Sequence, residues 1–365
     1  MKPYSRQQID EDDIEAVTSI LRSPMLTQGP AVEQFEKDVC AVVKARLGVA
    51  MNSATSALHA ACKALSVSER DTVWVSPISF AATANCALYC GANVDFVDID
   101  PDTYNMSTKA LWDKLQTSKN KPNFLIVTHM AGMPANMKEI RTFARTVGVR
   151  VIEDAAHAFG ARYDEKTPVG SCKYSDITVF SFHPVKPITT GEGGMAVTND
   201  PEIAEYMQAF RSHGMLNGHQ YLLGYNYRMT DMAAALGSSQ VRKAETFIKI
   251  RKELAMRYFD ELHSHVRQQP ISLTAHSAHH LHIITHPNAE GIREALKQAG
   301  YHSPLHYRPI YSHPYYSIRM QKMGTRPEMF PEAERYAKEA VSLPLHQQLT
   351  HQEQEEVISI VKANT

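Results

Sequence analysis

Ser181-Phe182-His183-Pro184-Val185-Lys186-Pro187-Ile188-Thr189-Thr190-Gly191-Glu192-Gly193-Gly194 is the stretch that decides how this chain is read. Its one lysine stands between two prolines, beside a threonine pair and ahead of a glycine-rich turn. Ile177-Thr178-Val179-Phe180 leads in and Met195-Ala196-Val197 leads out, so two buried strands with a stiff loop between them are expected. Pro184 and Pro187 restrict the backbone on either side of Lys186 and aim its side chain. A solvated loop lysine has no use for such a frame. A lysine whose amine forms a Schiff base with a carbonyl cofactor does, because that amine must stay desolvated and in line with the aldehyde. The stretch alone leaves both readings open.

Outward from it, strands and helices alternate. Strands are expected at 72–75, 94–99, 124–128 and 150–152, and helices at 79–89, 108–115 and 137–147. Such repeats imply an α/β fold: a mainly parallel sheet covered by helices on both faces, with ligands at the carboxyl ends of its strands. No GxGxxG follows any strand, which argues against a dinucleotide fold. Residues 9–22 read as an amphipathic helix. A second follows with Val32, Phe35, Val39 and Val42 on its apolar side and Gly48 just past its end. A long helix is expected over 230–262, then a strand at 281–285, a helix at 291–298 and an extended segment at 302–307. This change of pattern places a boundary near residue 240, between a large domain (1–240) and a smaller α+β C-terminal domain (241–365).

Asp154 closes an expected strand thirty-two residues before Lys186. A pyridoxal phosphate ring is an electron sink only while its nitrogen is protonated, and a carboxylate stabilises that form. Small hydroxylated residues, Ser53-Ala54-Thr55-Ser56, open an alanine-rich helix, with Ser53 or Thr55 as its cap. A helix start of this kind suits a phosphate, although plain capping explains it too. Lysine, aspartate and helix start together make a complete physical set for that cofactor. His157 either serves the cofactor or Asp154, or is a satisfied core histidine. Ser181 either adds a phosphate hydrogen bond or simply ends a strand.

The bulk properties exclude other classes. The 365 residues are 43% apolar and 21% charged, with a formal net charge of -1, which gives no electrostatic case for nucleic acid or a membrane surface. The five cysteines lack zinc-type spacing and read as reduced thiols of a cytoplasmic protein. No signal core and no membrane-length apolar run is present. The histidines at 276, 279, 280, 282 and 286 match no metal signature and read as surface and strand residues, so no metal is expected.

Ile152-Glu153-Asp154-Ala155-Ala156-His157-Ala158-Phe159-Gly160, Ser181-Phe182-His183-x-x-Lys186 and Gly191-Glu192-Gly193-Gly194 resemble the DegT-type sugar aminotransferases. These are fold-type I pyridoxal phosphate enzymes that aminate keto groups of nucleotide-linked sugars. The resemblance implies Lys186 as the cofactor lysine and proton shuttle, Asp154 at the pyridine nitrogen and His157 near the ring. It places Ser53, Ala54, Thr55 and Ser181 at the phosphate. Phe80 matches an aromatic residue stacked on the ring, the alternative being a core aromatic. Asn226, in Gly224-Tyr225-Asn226-Tyr227-Arg228, matches an asparagine that crosses a dimer interface, which implies a homodimer with shared active sites.

A narrower likeness rests on Leu26-Thr27-Gln28-Gly29, Pro77-Ile78-Ser79-Phe80, Phe210-Arg211-Ser212-His213-Gly214 and His306-Tyr307-Arg308-Pro309. It is to the family branch that serves pseudaminic acid biosynthesis. By it, Tyr4, Met25, Leu26, Thr27, His183, Asn226, His306 and Tyr307 surround the nucleotide sugar. The implied substrates are L-glutamate, leaving as 2-oxoglutarate, and a UDP-linked 4-keto-6-deoxy-N-acetylhexosamine of the L-altro series, with pyridoxamine phosphate formed between the two halves. The alternatives are a D-gluco or GDP-linked substrate, a cofactor-dependent sugar dehydratase, or a protein that keeps the fold without turnover. Dehydratases of this fold carry histidine at the lysine position, so Lys186 argues against that reading.

Overall fold

The loop 182–193 contains no helix, and this decides a strand direction. Parallel neighbours need a crossover of a dozen or more residues, usually helical. The strands flanking this loop instead pair antiparallel, Ser181 opposite Gly194. The computed structural model describes residues 1–272 and 274–365. Its helices are α1 (Glu11–Leu21), α2 (Pro30–Val43), α3 (Ala54–Ala64), α4 (Ala82–Tyr89), α5 (Thr108–Thr117), α6 (Met137–Val147), α7 (Pro201–Arg211), α8 (Asp231–Leu262), α9 (Ala289–Gln298), α10 (Pro314–Met323), α11 (Pro331–Glu339) and α12 (His351–Ala363). Its strands are β1 (Leu47–Met51), β2 (Thr72–Val75), β3 (Asn93–Phe96), β4 (Phe124–Thr128), β5 (Arg150–Asp154), β6 (Ile177–Ser181), β7 (Gly194–Thr198), β8 (Met215–Leu216), β9 (His219–Gln220), β10 (Arg267–Gln268), β11 (His282–Thr285) and β12 (Ala340–Leu343).

Seven strands form the main sheet in the order β1-β7-β6-β5-β4-β2-β3. β6, β5, β4, β2 and β3 pair in parallel, while β7 runs against both of its neighbours. The register brings Thr128 opposite Asp154 and aligns Met51 and Ser181 on Gly194, so these ends share one edge of the sheet. A second sheet, β10-β11-β12, is antiparallel.

β2, β4 and β6 are buried along their whole length, as expected for a sheet covered on both faces. α8 links the two cores. Ala234, Val241, Ala244 and Phe247 pack with Phe35, Phe180 and Phe182 of the large-sheet core, and Leu254, Tyr258 and Leu262 pack with Ile284, Val341 and Val357 of the second. Residue 240 therefore lies inside one continuous helix. α1 is anchored to the same helix: buried Asp13 accepts from Gln240 Nε2 (2.7 Å) and pairs with Lys243 (2.9 Å).

Several local expectations change. α2 ends at Lys44, which takes the left-handed cap with φ 58°, while Gly48 lies within β1. Val43 rather than Val42 turns inward. α4 begins at Ala82, not at residue 79. β12 and α10 to α12 complete a part of the chain whose periodicity had given no assignment.

Candidate active site

Lys186 is held by its own loop. Its N–H donates to the His183 carbonyl (2.9 Å), and the Thr190 N–H and Thr189 Oγ1 both donate to the Phe182 carbonyl (2.9 Å each). The side chain enters the interior with 8% of its surface exposed. Burial disfavours the ammonium and brings Lys186 down to about 8, against the opposing pull of the Asp154 charge. Nζ lies 3.4 Å from Nε2 of His280.

Asp154 ends β5 and is 4% exposed. Thr83 Oγ1 donates to its Oδ2 (2.6 Å) and the Ala156 N–H to its Oδ1 (3.1 Å). Ser79 Oγ is 2.6 Å from Thr83 Oγ1 and 3.0 Å from Thr128 Oγ1, so a line of hydroxyls ties the carboxylate to α4 and β4. These donors keep the carboxylate satisfied and fixed in direction without cancelling its charge.

Ser53 is the cap of α3, its Oγ accepting from the Ser56 N–H (3.1 Å), and Ala54 and Thr55 open the first turn. A Cβ on Gly194 would lie 2.3 Å from the Ala54 nitrogen. Only glycine lets β7 begin against this helix start. Ser181 faces Gly194 across the ladder, so its hydroxyl belongs to the same corner. Backbone N–H groups, a helix dipole and hydroxyls make that corner a cradle for an anion.

A histidine wall closes the other side. His157 Nε2 is 3.0 Å from the Tyr307 hydroxyl, and the His157 and His280 rings are 4.4 Å apart. Burial first, and then the Lys186 charge, push both imidazoles well below the usual histidine range, so they are neutral. Among the described residues Nδ1 of each is buried without a hydrogen-bond partner. His306 packs edge-on to Tyr4 (4.5 Å) and bonds Ser342 Oγ through Nδ1 (2.8 Å). The Ser5 hydroxyl donates to the Val185 carbonyl (2.8 Å), which lays the Tyr4 segment over the lysine loop.

Phe80 is 61% exposed, with its ring 6.0 Å from that of Tyr307. That exposure rules out the core reading. The structure thus gathers Lys186, Asp154, His157, His306, Tyr307, Tyr4 and Phe80 around one edge of the sheet. Met25, Leu26, Thr27 and Asn226 are exposed and make no hydrogen bond or aromatic contact with that group among the described residues. Thr27 instead bridges Thr230, and Asn226 bridges Ser212. His183 is on the surface, 4.0 Å from Glu192.

Four residues escaped the sequence reading. Ser79 and Thr83 flank Phe80 in a segment whose reading as a helix and an aromatic position gives neither hydroxyl a role, although they lie four apart, a spacing that puts both on one side. His280 sat in a cluster assigned to surface and strand, yet it is 1% exposed and touches Lys186. Arg251, fully buried in α8, donates to the carbonyls of His280 (3.3 Å) and Leu345 (2.8 Å) and to Ser5 Oγ (3.1 Å), and no local sequence signal marked it.

These residues fit pyridoxal phosphate. A desolvated amine suits its aldehyde, an anchored carboxylate its ring nitrogen, the α3 start and Ser181 its phosphate, and an exposed aromatic its ring face. Two imidazole nitrogens without partners remain for polar substituents. Among the described residues no group of three or more His, Cys, Asp or Glu is placed to hold a metal ion, and no helix is long and apolar enough to cross a membrane.

The DegT/DnrJ/EryC1/StrS aminotransferase family model matches residues 7–362. The chain is 36% identical over 361 residues to a Campylobacter jejuni UDP-4-amino-4,6-dideoxy-N-acetyl-beta-L-altrosamine transaminase, covering 96% of this chain and 93% of that one. Helicobacter pylori PseC, an aminotransferase involved in the biosynthesis of pseudoaminic acid, superposes with a TM-score of 0.92 at 31% identity, over 99% of this chain and 98% of that one. Spr1654 from Streptococcus pneumoniae in its PLP form gives 0.89 at 26% identity, over 99% and 97%.

Proposed function

The chain belongs to the DegT/DnrJ/EryC1/StrS aminotransferase family, and from that premise we propose that it carries an amino group from L-glutamate to C4 of a UDP-linked 4-keto-6-deoxy-N-acetylhexosamine of the L-altro series, in pseudaminic acid biosynthesis. Its chemistry is pyridoxal phosphate-dependent transamination. The observation that carries the site assignment is Lys186: a buried amine on a proline-framed loop, beside an anchored aspartate. The named C. jejuni and H. pylori proteins support the sugar.

Lys186 would hold the aldehyde carbon, Asp154 the ring nitrogen, Ser53, Ala54, Thr55 and Ser181 the phosphate, and Phe80 the ring face. Bound there, the cofactor supplies an electrophilic carbon and an electron sink. With a value near 8, Lys186 has a neutral fraction at physiological pH, so Nζ can take a proton from the donor's α-carbon and return it later. Asp154, fixed by Thr83 and the Ala156 N–H, keeps its negative charge directed into the site. Neutral His157 holds Tyr307 and adds no positive charge beside the amine. Tyr4, His183, His306 and Tyr307 lie where the sugar nucleotide enters.

The reading includes a homodimer with shared active sites, in which the partner brings Met25, Leu26, Thr27 and Asn226 to this cleft. Tyr221, Leu223 and Tyr225 around Asn226 are exposed, as are Met25 and Leu26, and an apolar surface of that kind favours a partner chain. Five free cysteines suit the cytoplasm. The test is 2-oxoglutarate release from L-glutamate with pyridoxal phosphate, comparing the L-altro 4-keto sugar with its D-gluco isomer. Preference for the L-altro substrate is expected. Preference for the D-gluco isomer would move the pathway, and turnover of neither sugar would overturn the substrate class.

A further inference from the structure

The mechanism leaves one neighbour of Lys186 without a task. His280 stands ninety-four positions from the lysine in sequence, with Nε2 3.4 Å from Nζ. It is fixed on both sides of its backbone: its N–H donates to the Ala131 carbonyl (3.0 Å), and its carbonyl accepts from Arg251. Arg251 is a fully buried guanidinium whose bonds go to carbonyls and to Ser5, so it clamps the 279–280 segment against the N-terminal strap. Burial first, and then the charge of Lys186, keep its ring neutral, and a neutral imidazole with its proton on Nδ1 leaves a lone pair on Nε2.

We propose that His280 is a positioning residue for transamination: its Nε2 accepts a hydrogen bond from the Lys186 amine whenever that amine is free, holding it in the site and stabilising its ammonium form. Among the described residues Nζ has no hydrogen-bond partner besides His280, and a buried amine left without one is costly. Asp154, His157, His183 and His306 also face Lys186, and only Asp154 is negative. The proposal rests on Lys186 being the cofactor lysine.

The test is the titration of Lys186 in the full-length, cofactor-free protein. Trace acetic anhydride is added across a pH series, and acetylation of the Lys186 peptide is read by mass spectrometry. His280→Phe and His280→Met, which remove the acceptor, are expected to lower the Lys186 titration midpoint by about one pH unit. His280→Gln, whose side-chain oxygen can replace Nε2, is expected to restore it to within about a third of a unit. The proposal is overturned if the Phe and Met variants titrate with the wild type, or if Gln is displaced as far as they are. Borohydride reduction with pyridoxal phosphate separates the two failures. Absence of label on wild-type Lys186 removes the premise, whereas label with superimposed titrations removes His280 alone.

Discussion

Replacing Lys186 by Met should make the cofactor-free protein more stable while abolishing its activity. Burial lowers the lysine from 10.5 to about 8. At ~1.4 kcal/mol per pH unit, the fold carries about 3 kcal/mol of cost for that ammonium at neutral pH. Losing the hydrogen bond to His280 offsets about 1 kcal/mol, so Lys186→Met should gain about 2 kcal/mol at pH 7. The sign follows from proton binding. Because the folded value is the lower one, the unfolded chain holds more protons between about 8 and 10.5, and this group makes wild-type stability rise with pH across that window. Below the window the cost is present in full. The advantage of Met is therefore largest below pH 8 and vanishes near about pH 10. Urea unfolding of both proteins at pH 7 and pH 10 measures it, since other titrating groups cancel in the difference at each pH. A variant less stable than wild type at pH 7, or a difference independent of pH, would refute the desolvated-amine reasoning.

Thr83→Val removes the donor to Asp154 Oδ2 in nearly the same volume and should cost about 2 kcal/mol in urea unfolding, with Thr83→Ser recovering most of it. Gly194→Ala places a Cβ 2.3 Å from the Ala54 nitrogen. It should displace the start of α3 and weaken pyridoxal phosphate binding about tenfold or more by equilibrium dialysis. Phe80→Ala should change stability by less than about 0.5 kcal/mol, because the ring is exposed, yet lower cofactor affinity. Equal affinity for wild type and variant would remove Phe80 from the site.

The sheet was legible because its strands are short apolar runs separated by helices of clear period. β4, from Phe124 to Thr128, and α6, from Met137 to Val147, fall where the pattern put them. Asp154 and Lys186 could be singled out because each sits at a punctuated strand end. What pattern could not give was contact between distant segments. Thr83 reaches Asp154 across seventy-one positions, and His280 meets Lys186 only through the loop that Arg251 holds. A histidine beside four others in sequence looks solvent-exposed until the fold buries it. Lys44 in place of Gly48 at the end of α2 has a similar cause: strand β1 claims the glycine, where a Cβ would press on Cys40 and Met195.

Borohydride reduction of the holoenzyme, followed by peptide mapping, fixes the cofactor to whichever amine carries it and so tests the site at its centre. A single pyridoxyl label is expected on the peptide containing Lys186, lost in Lys186→Met without loss of fold. A label on any other lysine, or undiminished labelling of that variant, would contradict the assignment of the buried, proline-framed lysine as the reacting amine.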